Sequence, residues 1–508
     1  MDKRKARVIM VQGTGSYVGK SVIVSALCRI FRQDGFRVAP FKSQNMALNS
    51  FVTCSGGEIG RAQATQAEAA GIEPNVEMNP ILLKPSGDVR AQVIVRGRPI
   101  GNMSGKEYYR CRPKLIKIIR ESFARLSNDY DIVVIEGAGS PAEVNLRKND
   151  LVNMKMAQIA DCPVILAGDI NAGGVFAWVV GTLELLTPLE RKRIKGVIIN
   201  KFRGDLEILK PGLDFLEQKI RRPVLGVIPY FHDINIPEED SLAREKRPLS
   251  GGSPLRDKVN IAVIYLPHIS NFTDFDPLER EPEVNLRYVT PGAGLGEPDC
   301  IIIPGSKNTI DDLLYLEKSG LAQEIIGRIR QGTAAIGICG GYQMLGKRIK
   351  DPGHLESRRQ AVNGLGILPA ATAIENRKLT HQVEAVDLLF GTGKISGYEI
   401  HMGRTCLSAA LSPAFRISAR SGRAVNLEDG VISRDRKVWG SYIHGLFDND
   451  RFRRRFIDSF RKNKRQRGGP LSAKKSFNYF AEAKDGEYDK LAALVRRNVD
   501  LEKIYALF

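Results

Sequence analysis

The sequence contains no closely spaced pair of cysteines and no long apolar run. Its seven cysteines are scattered without a C-x-x-C pair, which argues against a zinc ribbon or a disulfide scaffold. No stretch approaches the roughly 20 apolar residues that a membrane span needs, and the best candidate, residues 172–183, is bracketed by Asp169 and Glu184. The N-terminal residues run into a glycine loop instead of the cleavage site of a secretory signal. We therefore expect a cytoplasmic protein without a membrane partner.

Acidic residues are too few to balance the basic ones. The chain has 76 lysines and arginines against 57 acidic residues, a formal net charge of +19. The most concentrated basic run, residues 451–467, also contains Phe452, Phe456 and Phe460. On a helix this spacing places the three rings on one face. We predict a helix docked by its phenylalanines with its basic face in water, and no nucleic-acid partner.

The length of 508 residues indicates more than one domain. In residues 1–236, short apolar runs alternate with helix-like stretches, a pattern typical of βα units around a buried parallel sheet. A Pro-, Gly- and Ser-rich stretch predicts a linker over residues 237–258, a second α/β pattern fills residues 259–450, and residues 451–508 are basic and helical in pattern. The predicted fold class is α/β, with two doubly wound, mostly parallel-sheet domains.

A glycine loop links the first apolar run to a helix predicted over residues 20–34. Its backbone N–H groups would bind phosphate, aided by the helix dipole. Lys20 would reach the terminal phosphates and Ser21 would bind Mg²⁺. The strict phosphate-loop pattern is missed because Thr14 stands where its first glycine belongs, and Gly13 makes the loop one residue longer. We predict an ATP site that contains Gly13, Thr14, Gly19, Lys20 and Ser21.

Two further segments follow apolar runs, at the sheet edge where nucleotides bind in open α/β sheets. Glu136 ends one run and carries a carboxylate suited to Mg²⁺, although an acid that caps the next helix would look the same. Asn200 and Lys201 follow another run. Contact with the nucleotide and a simple turn are both compatible with their position.

A second glycine turn, in residues 337–341, carries Cys339. Its glycines permit a strained strand-to-helix elbow that exposes a nucleophile, and the following helix N-terminus would favour the thiolate. A base is also needed. Of six histidines, only His444 ends a clear apolar strand in the second half. These residues alone leave a catalytic pair and a structural cysteine and histidine equally open.

Long, non-repetitive segments resemble the cobyric acid synthase family. The resemblance extends from about residue 7 to about residue 450 and is far more specific than a glycine loop. The segments that carry it are residues 42–50 (KSQNMALNS), 56–64 (GGEIGRAQA), 78–85 (MNPILLKP), 136–143 (EGAGSPAE) and 200–205 (NKFRGD). Residues 396–404 also match, where a structural hairpin is at least as good an explanation as chemistry.

This resemblance implies a dethiobiotin synthetase-like ATP domain, which activates a carboxylate by phosphorylation. It implies that Lys42 assists the phosphates and that Glu58 joins Ser21 and Glu136 around Mg²⁺. Asp150 and Asn153 match a motif near the expected carboxylate site. An aspartate at such a position can equally be a helix N-cap.

The second half is similar to class I, triad-type glutamine amidotransferases of flavodoxin-like architecture. The resemblance implies that Cys339 is the nucleophile and His444 the proton acceptor. Backbone N–H groups near Gly305 and Gly340 would form the oxyanion hole. Typical triad enzymes carry an acid two residues after the histidine, where this chain has Leu446. The family keeps only the cysteine and histidine, so the group that orients the imidazole is left open.

A departure from the family pattern lies in the first half. The family usually reads D-I-D-R-G-G-V-F-A, whereas Asn171 and Ala172 replace the second acid and the arginine here. If those positions touch substrate or nucleotide, affinity or specificity would change.

The resemblance implies a glutamine-hydrolysing, ATP- and Mg²⁺-dependent enzyme. Its substrates would be L-glutamine, ATP and adenosylcobyrinic acid a,c-diamide, amidated at the b, d, e and g carboxylates. A sister amidotransferase, such as cobyrinic acid a,c-diamide synthase or a cell-wall lipid-amidating synthetase, is one alternative. A partitioning-type P-loop ATPase that binds DNA or membrane is another, but it would have no use for the Cys339 elbow.

Overall fold

A computed structural model describes residues 5–86, 90–236, 255–407, 411–466 and 480–508. Most of the predicted linker therefore lies outside the described residues. The strands of the first half are β1 (Arg7–Gly13), β2 (Val38–Phe41), β3 (Gln44–Met46), β4 (Ser50–Val52), β5 (Glu58–Gly60), β6 (Ile81–Pro85), β7 (Arg90–Val95), β8 (Arg98–Ser104), β9 (Ile132–Glu136), β10 (Val164–Asp169), β11 (Ile194–Phe202) and β12 (Val224–Pro229). Its helices are α1 (Lys20–Gln33), α2 (Arg61–Ala70), α3 (Gly105–Arg110), α4 (Arg112–Asp129), α5 (Met154–Ala160), α6 (Val175–Leu185), α7 (Pro188–Arg193) and α8 (Leu206–Ile220).

A six-stranded parallel sheet forms the centre of the first half, in the order β12-β11-β10-β1-β9-β2. Its strands are apolar runs because both faces are covered by helices. Strands β1 and β9 are neighbours, with Val11 opposite Glu136. The phosphate loop after β1 and the carboxylate at the end of β9 therefore meet at one edge of the sheet.

A smaller sheet projects from this core, in the order β3-β6-β7-β8. Strands β4 and β5 form a separate antiparallel pair. The family-like segment 42–50 runs from the main sheet through β3 to the start of β4. This route brings it alongside the second half of the chain, where Ser50 contacts Asn271.

The second half is also an α/β unit. Its strands are β13 (Val259–Ile264), β14 (Val284–Val289), β15 (Cys300–Ile303), β16 (Ala334–Ile338), β17 (Arg348–Lys350), β18 (Ala361–Asn363), β19 (Ala370–Asp387), β20 (Gly393–Leu407), β21 (Phe415–Arg420), β22 (Arg423–Asp429), β23 (Val431–Ile432), β24 (Val438–Ser441) and β25 (Ile443–His444). Its helices are α9 (Asp276–Glu279), α10 (Thr309–Lys318), α11 (Leu321–Arg330) and α12 (Gly340–Leu345), followed by α13 (Asp450–Gln466), α14 (Phe480–Asn498) and α15 (Leu501–Tyr505).

The central sheet of the second half has the order β14-β13-β15-β16-β24-β23 and is parallel except for β23. The two parallel-sheet units confirm the predicted fold class. A seven-stranded, mostly antiparallel sheet built on the long β19–β20 hairpin was not predicted. The family-like residues 396–404 lie within strand β20 of that hairpin.

The C-terminal helices pack on both halves. Helix α13 buries Phe452 and Phe456 in the core of the second half, as the phenylalanine spacing predicts. Its basic face is not wholly in water, because Arg453 is buried and paired with Glu281. Helix α14 instead packs on α1 of the first half, where Arg29 pairs with acids of α14. In the described part of the chain, no helix is both long and apolar enough to cross a membrane.

Candidate functional site

Cys339 lies on a strained elbow between β16 and α12. Its φ of 51° and ψ of −106° are unfavourable for a residue with a side chain. The surrounding glycines are required by close packing: a Cβ added to Gly341 would lie 1.9 Å from the carbonyl oxygen of Ile303, and one added to Gly337 would lie 2.5 Å from the amide of Tyr342. The sequence thus folds into the nucleophile elbow that its glycines predict.

His444 is oriented by Asp274. The imidazole Nδ1 lies 2.6 Å from Asp274 Oδ2, and the Gly445 N–H donates to Asp274 Oδ1 at 3.0 Å. Both side chains are buried. With Nδ1–H donated to the carboxylate, Nε2 is left as the proton acceptor. Among the described residues Nε2 has no hydrogen-bond partner.

Charge around His444 favours the imidazolium. Burial opposes protonation, but the neighbouring Asp274 carboxylate and the Cys339 thiol outweigh it and raise the pKa of His444 to about 10. Cys339 Sγ itself contacts the Ile400 carbonyl at 3.6 Å. A strongly basic imidazole near a cysteine is the combination that activates a thiol nucleophile. The Cys–His–Asp arrangement therefore has the parts of a nucleophilic triad.

The contact of Asp274 with His444 could not be predicted from the sequence. It lies in the 3₁₀ helix Phe272–Phe275, which follows β13 and precedes His444 by 170 residues. Triad enzymes of this type carry the acid just after the histidine, and Leu446 at that position is buried and apolar. No spacing rule connects Asp274 to His444, so only the fold reveals the pair.

Gly305 and Gly340, which the resemblance assigns to the oxyanion hole, both lie beside the Cys–His pair. A Cβ added to Gly305 would lie 3.1 Å from His444 Cε1, and one added to Gly340 would lie 2.9 Å from the amide of Ser306. The Gly305 carbonyl accepts from the Ser270 N–H at 2.9 Å. This bond fixes the peptide orientation of the loop beside the nucleophile, which an oxyanion hole needs.

The phosphate loop joins β1 to α1 in the first half. Lys20 Nζ donates to the carbonyls of Gly15 and Gly139 at 2.7 and 3.1 Å. The Thr14 N–H bonds back to β10 through the carbonyl of Ala167. These two bonds hold the Lys20 ammonium group against the phosphate loop, from where it can reach the terminal phosphates of a bound nucleotide.

Ser21 and Glu136 meet beside this loop. Ser21 Oγ lies 2.9 Å from Glu136 Oε1, which also accepts from Lys42 Nζ at 2.8 Å. Burial raises the pKa of Glu136, but Lys42 and Gln66 more than compensate, so its pKa is lowered and the carboxylate is charged. A hydroxyl and a carboxylate that share one point fit a Mg²⁺ bound mainly by phosphates and water. Within the described ranges, no cluster of three or more His, Cys, Asp or Glu side chains able to hold a metal is found.

Glu58 does not fit the metal role that the resemblance implied. It is fully buried, and its two carboxylate oxygens accept from Lys84 and from Lys378, which belongs to the second half. Ser21 and Glu136 line the large cavity of the first half, whereas Glu58 does not. Lys84 and Lys378 do not line that cavity either, so neither carboxylate oxygen of Glu58 is directed at the phosphate loop. Glu58 instead joins the two halves of the chain.

Asn200 and Lys201 support the phosphate loop from the neighbouring strand. The Asn200 amide donates to the carbonyl of Val18 at 2.9 Å, and a Cβ on Gly19 would lie 2.0 Å from it. Lys201 Nζ reaches the carbonyl of Tyr17 and pairs with Asp169 at 2.7 Å. Both residues also line the cavity, so they are available to a nucleotide.

Asp150 and Asn153 line the same cavity but are engaged in local structure. Asp150 Oδ1 and Oδ2 accept from the backbone N–H groups of Val152, Asn153 and Lys155, as an acid at the start of α5 would. Asn153 exchanges hydrogen bonds with the backbone of Ala138. The N-cap of α5 is Asn153, without a side-chain cap bond, so Asp150 is not an N-cap but closes the turn that precedes the helix.

The two positions at which this chain departs from the family pattern, 171 and 172, do not line the cavity. Asn171 and Ala172 are exposed, and neither is among the residues that line it. The carboxylate of Asp169 instead points inward to Lys201. In this chain, therefore, the two positions contribute no side chain to the cavity.

The cavity that contains the phosphate loop is unusually large, at about 2130 Å³. Typical pockets for a single small ligand measure about 300–1,000 Å³. Its lining includes Lys20, Ser21 and Lys201 at the phosphate loop, and also Met46 and Met103 of the small sheet, Leu48 from the segment after β3, and Tyr109 of α3. Residues of the second half, including Pro267 and Arg280, close part of the opening.

Two family models match the chain. Residues 9–243 match the CobQ/CobB/MinD/ParA nucleotide binding domain, and residues 260–452 match the CobB/CobQ-like glutamine amidotransferase domain. Among solved structures, PurLQS from Thermotoga maritima aligns with 19% identity and a TM-score of 0.32, over 41% of this chain and 99% of that one. A structural similarity this weak does not support a conclusion about fold or function.

Curated relatives match over almost the whole length. The cobyric acid synthase of Thermoanaerobacter sp. (strain X514) is 52% identical, with 98% of each chain covered. Those of Moorella thermoacetica and Dehalococcoides mccartyi (strain CBDB1) are each 51% identical, with 99% of this chain and 97% and 99% of theirs covered. The chain belongs to the cobyric acid synthase family and is an ATP-dependent glutamine amidotransferase of cobalamin biosynthesis.

Proposed function

We propose that Cys339, His444 and Asp274 form the glutaminase centre. His444 Nε2 takes the thiol proton while Asp274 holds the other ring nitrogen at 2.6 Å. The thiolate attacks the carboxamide carbon of glutamine, and N–H groups near Gly305 and Gly340 stabilise the oxyanion. The imidazolium returns the proton to the leaving nitrogen, which departs as ammonia and leaves a thioester. Water then attacks the thioester, His444 takes its proton, and glutamate and the thiol are released.

In the first half, the proposed reaction begins with ATP and a carboxylate of adenosylcobyrinic acid a,c-diamide. The carboxylate oxygen attacks the γ-phosphorus, ADP leaves, and an acyl phosphate forms. Ammonia then adds to the acyl carbon, and phosphate leaves with the formation of an amide. This order is needed because a free carboxylate is a poor electrophile, whereas an acyl phosphate is a good one.

Lys20 and Lys42 are the residues proposed to bind the transferred phosphate. Both are buried at the phosphate-loop end of the cavity and carry positive charge toward it. Ser21 and Glu136 would hold Mg²⁺, which when bound neutralises charge on the nucleotide phosphates. Lys42 contacts Glu136 at 2.8 Å. The two lysines and the Glu136 carboxylate therefore lie together at the proposed phosphate-transfer site.

The acceptor is proposed to occupy the part of the cavity that the small sheet and α3 line. A volume of about 2130 Å³ exceeds what one nucleotide requires. Met46, Leu48 and Tyr109 offer an apolar surface there, with Arg90 and Lys106 on the same wall. An apolar face with basic groups around it suits a large macrocycle that carries carboxylates at its periphery.

The coexistence of a nucleophile elbow and a phosphate loop, each complete in its own half, is the observation that carries this proposal. Mass spectrometry of the corrinoid product tests it. Incubation with ATP, Mg²⁺, glutamine and the a,c-diamide should add amides at the b, d, e and g positions. Lys20→Ala should abolish amidation from glutamine and from ammonium alike, while glutamine hydrolysis persists. Amidation confined to the a and c positions of cobyrinic acid, or full amidation by Lys20→Ala, would contradict the proposal.

A further inference from the structure

We propose that Asn49 and Asn271 position Asp274 across the boundary between the two halves, so that the synthetase half helps to set the geometry of the glutaminase base. The inference rests on the proposed glutaminase role of Cys339 and His444. It concerns residues 269–275, here called the Asp274 loop, and the segment 42–50 of the first half.

The two asparagines exchange hydrogen bonds with each other's chain segment. The Ser50 N–H donates to Asn271 Oδ1 at 3.1 Å, and the Phe272 N–H donates to Asn49 Oδ1 at 3.2 Å. Asn49 and Asn271 are 1% and 2% exposed. Buried reciprocal bonds of this kind fix register between two segments, because breaking either leaves a backbone N–H without a partner.

The Asp274 loop transmits this register to the active site. Asn271 adopts φ 53° and ψ 37°, and its carbonyl accepts from the Asp274 N–H at 3.1 Å. The same loop contacts the proposed oxyanion peptide through Ser270, whose N–H donates to the Gly305 carbonyl at 2.9 Å. One short loop thus contacts the base, the oxyanion peptide and the first half of the chain.

The other end of segment 42–50 lies in the synthetase cavity. Lys42 pairs with Glu136 at 2.8 Å, and Gln44 accepts from the Tyr108 hydroxyl at 2.5 Å. Met46 and Leu48 line the cavity wall immediately before Asn49. A ligand bound against this wall contacts the segment whose next residues hold the Asp274 loop. Its binding and the orientation of Asp274 are therefore energetically linked, and linkage is reciprocal.

Asn271→Gly is the sharpest variant, because glycine keeps the left-handed backbone conformation while the amide acceptor is removed. Asn271→Asp restores an acceptor of the same shape and also tolerates this conformation. Thr380→Val is the matched control. It removes another hydrogen bond between the halves, from Thr380 Oγ1 to the Gly56 carbonyl at 2.7 Å, without touching the Asp274 loop.

Three rates are compared for each variant: glutamine hydrolysis alone, glutamine hydrolysis with ATP and the corrinoid acceptor, and amidation from ammonium. In the wild type, ATP and acceptor should raise the kcat of glutamine hydrolysis. In Asn271→Gly, kcat should fall about fivefold, the value of one buried hydrogen bond, and the stimulation should disappear while KM for glutamine and ammonium-dependent amidation stay unchanged. Asn271→Asp should recover most of the rate, and Thr380→Val should behave as the wild type.

The proposal is overturned if Asn271→Gly retains the stimulated rate, if Thr380→Val lowers it equally, or if ammonium-dependent amidation falls together with glutamine hydrolysis. The last result would assign the asparagines to general docking of the halves. A Cys339→Ser variant measured alongside separates these outcomes from failure of the underlying assignment, since glutamine hydrolysis that survives in that variant would refute the glutaminase site itself.

Discussion

The carboxylate of Asp274 lies 2.6 Å from Nδ1 of His444, although the two residues are 170 positions apart. This relationship supplies the acid that the sequence around His444 lacks. It places the acid on a loop that also contacts the synthetase half. The proposed glutaminase centre is thus assembled from three separate segments of the second half.

Replacement of Asp274 by Asn should lower the kcat of glutamine hydrolysis by about 10²–10⁴-fold. The amide can no longer stabilise the imidazolium and can bind the wrong tautomer of the ring. Because Asp274 raises the pKa of His444, the variant's histidine should also titrate at lower pH. Steady-state rates across pH test both effects. Ammonium-dependent amidation is the control, and an unchanged pH profile with wild-type kcat would show that Asp274 does not act on His444.

A methyl group at Gly341 should block the elbow. The added Cβ would lie 1.9 Å from the Ile303 carbonyl oxygen, so Gly341→Ala should lower the thermal midpoint and abolish glutamine hydrolysis. Gly327→Ala is the matched control, because it lies inside α11 and a Cβ there meets nothing within 4 Å. That change should raise the free energy of unfolding by about 0.5–1 kcal/mol, because alanine favours a helix more than glycine does. Tolerance of Gly341→Ala, seen by calorimetry and activity, would contradict the packing argument.

The buried Glu58 should make stability depend on acid pH. Burial raises its pKa, but Lys378 and Lys84 outweigh this and lower it to about 2. A carboxyl group whose pKa is lower in the folded state than in the unfolded state stabilises the folded protein. This stabilisation is complete at a pH above the unfolded-state pKa, near 4.5, and is lost as the pH falls toward 2. At neutral pH, Glu58→Gln should lower the free energy of unfolding by on the order of 3 kcal/mol, because the two lysines are then buried without their counter-charge. Thermal midpoints of both proteins between pH 7 and about pH 3 should converge as the pH falls, and a constant gap would refute the linkage.

Restoring the family residues at positions 171 and 172 should have little effect. Asn171 and Ala172 are exposed and lie outside the cavity lining. The double variant Asn171→Asp, Ala172→Arg should therefore keep kcat and KM for ATP and the corrinoid within about twofold, consistent with a surface change of roughly ±0.5 kcal/mol. Lys201→Ala, which removes a cavity-lining cation paired with Asp169, is the contrasting variant and should raise KM for ATP. A large gain from the double variant would place these residues in the substrate site.

Much of this architecture could be predicted from local pattern. The apolar run and glycine loop locate β1 and the phosphate loop, and a helix predicted over 20–34 is found as Lys20–Gln33. The elbow at Cys339 follows from its glycines, because few other residues fit that turn. These features are encoded within some ten consecutive residues each.

Long-range arrangements could not be predicted in this way. Asp274 follows β13, whereas His444 lies in β25 just after β24, and the two residues meet although 170 positions separate them. Glu58 meets Lys378 only because the β19–β20 hairpin packs on the first half. Helix α14 returns to α1 after the entire second half, where Arg29 binds Asp485 and Asp489. Such contacts depend on topology, and the residues involved carry no local signature.

The central claim is that nitrogen released at Cys339 is consumed at the phosphate-loop site. It is tested most directly by isotope tracing with [amide-¹⁵N]glutamine and unlabelled ammonium in the same reaction. The wild type should place ¹⁵N in the new corrinoid amides. Cys339→Ser should form the same amides with ¹⁴N alone, because its synthetase half is intact. Incorporation of ¹⁵N by Cys339→Ser, or loss of amidation from both nitrogen sources, would contradict the account.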